Sequence, residues 1–234
     1  MFLIDLIEFI VKDVKSKVFL LRPVRMVSCV QIVAILMSSA HLAGQRISPK
    51  AEKIMNHAIS EFNEGRVMES VVEFDRLVGL IPEYSPYLWQ RGIALYYVGR
   101  YDDCVTQFES HRTVNPNDVE NAAWHFLCVA KLRSPEIAKQ RLLPVGPDAR
   151  MPMRHIYQMF NGSITPADVM SNVGDELRSR FYAHLYIGIF FESQGKTEAA
   201  REHITIASSA KYERAGGYMH RVSQLHLRAF GLKD

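Results

Sequence analysis

Residues 51–84 and 85–118 align without a gap at an offset of 34, and this internal repeat restricts the chain to a stack of similar units. Ile59 stands over Ile93, Phe62 over Tyr96, Gly65 over Gly99, Arg66 over Arg100, Val71 over Val105, Phe74 over Phe108 and Pro82 over Pro116. The first half of each unit spaces apolar residues for one helix face: Ile54, Ala58 and Phe62, then Leu88, Gly92 and Tyr96. Gly65 and Gly99 fall where that helix ends, a position glycine takes at little cost. Val71, Phe74 and Val78, then Val105 and Phe108, supply the apolar face of a second helix. Pro82 and Pro116 close the units, because proline cannot continue a helix.

Two antiparallel helices per 34 residues is the tetratricopeptide repeat (TPR) pattern. A degenerate third unit spans 119–143, with a first helix over 119–132, Ser134-Pro135 in place of the turn glycine and a short partner over 136–143. Residues 144–152 read as a loop, and 153–161 and 166–172 as two short helices. A good repeat returns at 181–214, with Gly188, Gly195, Ala200 and Ala207 at the small and turn positions. Residues 216–230 read as the capping helix that a repeat stack requires. The expected fold is all-α: a TPR-type helical-hairpin solenoid over 49–234, with an irregular middle segment and a C-terminal capping helix.

Residues 1–48 differ from the rest. Lys12, Lys15, Lys17, Arg22 and Arg25 precede an apolar run from Met26 to Met37, followed by Ser38, Ser39 and Ala40. This pattern fits a signal peptide or signal anchor, although the run falls short of the ~20 residues that cross a bilayer. An extra helix, or a misplaced gene start, is the alternative. The first reading favours an exported or membrane-associated protein held through residues 1–40, and a misplaced start a cytoplasmic one.

The net charge of +3 gives no nucleic-acid footprint. No P-loop, dinucleotide fingerprint, zinc-protease motif or nucleophile elbow occurs, so no enzyme, cofactor or metal is expected. His220 and His226 share a helix, but six residues apart they do not share a face as metal ligands would. Cys104 and Cys128 read as buried thiols on neighbouring helices; a disulfide between them requires suitable geometry and an oxidising compartment.

In TPR arrays the first helices line the concave surface, and register selects the residues facing it. They are Met55, Ile59 and Phe62, then Trp89, Ile93, Tyr96 and Tyr97, then Leu127 and Lys131. Trp89, Tyr96 and Tyr97 would form an aromatic platform of the kind enriched at binding hot spots. The alternative is that these rings pack against a neighbouring helix. The positions where some TPR domains clamp a partner's carboxylates are mostly apolar here, which favours an apolar or amphipathic partner segment.

The segments RGIALYYVGR (91–100), VNPNDVENAAWHFLCVAK (114–131) and YQMFNGSITPADVM (157–170) resemble the bacterial TPR lipoprotein family of NlpI. The resemblance implies an envelope-associated adaptor, often dimeric, with protein clients and no catalysis. The chain departs from that family at the lipobox, since Leu42-Ala43-Gly44 is followed by Gln45 and no thiol stands there to be lipidated. The expected function is a protein-interaction adaptor binding a partner segment in the groove, and the alternative is a homo-oligomerising structural module.

Overall fold

A computed structural model describes residues 48–229, and all regular elements among them are helical. Residues 1–47, which carry nearly all of the expected leader and the proposed membrane contact, lie outside the described residues. The two clear repeats give α1 (Pro49–Asn63) and α2 (Val67–Leu80), then α3 (Trp89–Tyr97) and α4 (Tyr101–His111). The irregular middle contains α5 (Val119–Leu132), α6 (Pro135–Gln140), α7 (Met153–Phe160) and α8 (Pro166–Asn172). The last repeat gives α9 (Leu177–Ser193) and α10 (Thr197–Ala207), followed by α11 (Glu213–Gly216) and α12 (Tyr218–Ala229). The described chain is an all-α, TPR-type array of helical hairpins.

Local chemistry sets the ends of these helices. Ser48 caps α1 by accepting the Ala51 N–H, and Pro49 opens the helix with its ring preset for helical φ. Gly65 and Gly99 adopt φ of +85° and +78°, so the turn glycines of both repeats occupy the left-handed region that a side chain resists. Pro82 opens a 3₁₀ helix, Pro82–Tyr87, which delays α3 until Trp89.

Packing within a hairpin depends on a small residue opposite a large one. A Cβ built on Gly92 of α3 would lie 2.6 Å from the Phe108 ring of α4, and one on Gly188 of α9 would lie 2.7 Å from Ile204 of α10. The first repeat has Ala58 at the matching place, fully buried. The third unit has Phe126 there, and its ring meets Phe160 of α7 edge-on at 5.0 Å. The close crossing is thereby replaced, and α5 packs on both the short α6 and α7. The sequence placed the partner helix over 136–143; it ends at Gln140 because Leu143 turns inward and its carbonyl accepts the Tyr157 hydroxyl.

Two cross-links tie the units together. Asp75 of α2 accepts two N–H groups of Arg91 on α3, and it also pairs with Arg100. Cys104 of α4 and Cys128 of α5, both fully buried, are joined as a disulfide with Cα atoms 6.0 Å apart.

α12 caps the last repeat by packing on α10 and α11, and the His220 ring sits 3.1 Å from the Ser208 and Ser209 carbonyls. The same helix also reaches the first two repeats. Its Tyr218 ring stacks on Phe62 at 5.4 Å and meets Trp89 edge-on at 5.1 Å, while His226 Nδ1 lies 3.1 Å from the Tyr97 hydroxyl. A helix at the C-terminal end thus touches residues at the N-terminal end, across the inner side of the array.

Candidate functional site

The residues selected by register divide into two groups. Phe62, Ile93, Tyr96 and Leu127 are buried, whereas Met55, Ile59, Trp89 and Tyr97 keep part of their surface. The Tyr96 ring packs edge-on against Tyr97 and Trp124, and Phe62 sits beneath Tyr218. Much of the aromatic platform is therefore covered by the chain's own C-terminal helix.

A buried charge cluster lies next to these rings. Glu192 of α9 accepts the Tyr96 hydroxyl, pairs with Lys131 Nζ at 2.5 Å and stands 3.4 Å from His226 Nε2. Burial works against the charged carboxylate, but the His226 and Lys131 contacts outweigh it and hold Glu192 down at about 2. Lys131, selected for the groove by register, pairs with Glu192 while its side chain stays 31% exposed.

An open cleft remains where four helices begin. Its volume is about 500 Å³, and its lining includes Trp89 and Ile93 of α3, Asn121 and Trp124 of α5, Arg178 and Tyr182 of α9, and Tyr218 of α12. Arg214 and the Gly216-Gly217 turn form the wall beside α12. This size falls within the range of ~300–1,000 Å³ typical of ligand pockets. The side chains of Asn121 and Trp124 in this wall are almost fully buried, yet Asn121 Oδ1 and Trp124 Nε1 have no hydrogen-bond partner.

The charges around the cleft are arranged asymmetrically. Arg150, from the loop after α6, donates to Asp118 and Glu120 at 2.7 Å and to Asp148 at 2.6 Å. Asp118 is also occupied as the N-cap of α5. Arg178 instead lies over the Tyr182 ring, 5.8 Å from its centre. Register could not flag Arg178, which precedes the last repeat, or Arg214, which ends it. The nearby Gly216-Gly217 pair was the available signal of a break in that helix.

Glu120 gives the site a pH dependence. Burial pushes it up, the neighbouring Asp118 carboxylate adds to this, and the Tyr186 hydroxyl and Arg150 offset only part, leaving it at about 7. A carboxyl raised above its unfolded value binds its proton more tightly in the fold, so its stabilising effect is full below about pH 4.5 and is lost as pH rises through about 7. Glu120→Gln removes this titration. Relative to the variant, wild type should lose about 2 kcal/mol between about pH 5 and pH 8, read by urea unfolding at each pH. Parallel curves for the two proteins would place the Glu120 titration elsewhere.

No protein-family model matches the chain, and no curated protein matches it. Among solved structures the chain is similar to a MamA RS-1 ArsTM double mutant, at 16% identity and a TM-score of 0.40, over 80% of this chain and 96% of that one. The hairpin assignment rests on the helices themselves: turn glycines at positive φ and small-on-large crossings repeated between units.

Proposed function

We propose that the protein is a non-catalytic interaction adaptor that takes a partner segment on its concave face, at the cleft left open beside α12. The observation that carries this reading is the position of Trp89 and Ile93. Both stand at first-helix groove positions and both line the cleft, together with Tyr182 of the last repeat. A half-buried tryptophan beside a hollow is the kind of residue that dominates binding energy at protein interfaces. The buried Tyr96 of the platform, with Phe62 and the part-buried Tyr97 beside it, then acts as the support that fixes the cleft wall.

Trp89→Ala should weaken the isolated partner complex by about 2 kcal/mol, or roughly 30-fold in Kd. The test is co-purification with the full chain and its Trp89→Ala variant, with circular dichroism to confirm that the variant is folded. A folded variant that recovers every partner in full would reject the cleft as the docking site. A second reading, self-association, has its own observation: Met68, Val72 and Leu80 are large apolar residues exposed on α2. Sedimentation of the full chain separates the two, since an adaptor of this kind has no need to dimerise.

A further inference from the structure

Resting on that docking reading, we propose that the cleft is a receptor for an acidic peptide segment, with carboxylates held by Arg178 and Arg214 and an adjacent apolar side chain against Trp89 and Tyr182. The first argument is the charge balance of the lining. The acidic side chains Asp118 and Glu120 share Arg150 with Asp148, and Glu120 also accepts the Tyr186 hydroxyl. Among the described residues, Arg178 and Arg214 have no carboxylate at ion-pair distance, and both are exposed to solvent. The cleft lining thus sets three arginines, Arg150, Arg178 and Arg214, against two carboxylates, and the two arginines without an ion pair carry a fork geometry that suits a carboxylate.

The second argument comes from the backbone. Trp89, Glu120, Arg178 and Tyr218 lie in the first turns of α3, α5, α9 and α12, so four helix N-termini surround one hollow. Each contributes partial positive charge, and helix starts near an anion reinforce one another only when they converge. The N-termini of α5 and α9 are capped by Asp118 and Glu176, whereas α3 has no side-chain cap.

The third argument concerns the shape of the ligand. A second hollow of about 540 Å³ adjoins the cleft and shares Arg150, Arg178 and Tyr182 with it. Two hollows that share one wall suit an extended chain better than a compact organic acid. Asp175 and Glu176 line the second hollow, so the acidic part of the segment belongs over the first and a neutral or basic part over the second. These arginines come from outside the groove positions of the repeats, which is why the apolar register positions do not exclude an acidic ligand.

The test pans a random dodecapeptide phage library on the full chain, then measures the enriched peptide by fluorescence anisotropy. The expected consensus pairs Asp or Glu with an adjacent aromatic or large apolar residue. Replacing each acidic residue of that peptide by its amide should abolish most binding, and Arg178→Gln and Arg214→Gln should each weaken it about tenfold. Raising salt from about 50 mM to about 500 mM should weaken it further. A consensus without acidic residues, or equal binding of the amide peptide, overturns the acidic assignment and leaves docking at Trp89 standing. Phenylacetate binding as tightly as the best peptide would assign the cleft to a free organic acid instead. No enrichment at all, or enriched peptides indifferent to both arginines and to Trp89, overturns this proposal and the docking reading together.

Discussion

Glu192→Ala is expected to lower unfolding free energy by about 3 kcal/mol at neutral pH, the cost typical of removing one partner from a buried ion pair. The carboxylate is the shared acceptor of the Tyr96 hydroxyl, Lys131 Nζ and His226, and its side chain keeps only 11% of its surface in water. Removing it leaves the buried Tyr96 hydroxyl and His226, and the partly exposed Lys131, without that acceptor. Glu192→Gln, which retains an acceptor for Tyr96 but no charge, should fall between wild type and alanine. The pH dependence fixes the cause. A carboxyl held at about 2 in the fold contributes stability that is complete above about pH 4.5 and is lost as pH falls towards 2. The gap between wild type and the alanine variant should therefore narrow over that interval in urea titrations. A gap that stays constant down to about pH 2 would assign the loss to packing rather than to charge.

The sites of Glu192 and Glu120 show where reading the sequence stops. The repeat at an offset of 34 specifies the helix pairs because spacing, turn glycine and closing proline are local signals, and each acts within one unit. Gly92 over Phe108 and Gly188 over Ile204 are local too, so the hairpin geometry follows from residues that the alignment already picks out. Phe126 marks the irregular unit by the same logic, since its ring stands where the neighbouring units have glycine or alanine. The covering of the groove is of another kind. The sequence shows that α12 has an apolar face but not which surface receives it, and the pairing of Tyr218 with Phe62 spans most of the described chain. Arg178 and Arg214 were equally invisible, because they reach the cleft from positions that have no counterpart in the repeat register.

Placing aspartate at Val222 should cost about 4 kcal/mol, because it buries a charge with no partner prepared for it. Val222 is fully buried on α12, and its carbonyl accepts the Tyr97 hydroxyl at 3.4 Å. The distribution of the damage matters more than its size. In a linear repeat stack each unit touches only its neighbours, so loss of a terminal cap loosens the adjacent repeat first. Here α12 touches Phe62 and Trp89 in the first two repeats as well as α10, and its release should uncover both ends together. Hydrogen exchange on Val222→Asp should therefore accelerate in α1 and α3 as strongly as in α9 and α10, with dye binding to newly exposed apolar surface. Acceleration confined to α9 and α10 would mean that α12 acts only as an end cap and that its inner contacts contribute little. Because Tyr218 also lines the cleft, release of α12 should cost peptide binding too. Retained affinity in a variant that exchanges rapidly at α12 would mean that the ligand rests on the repeats alone.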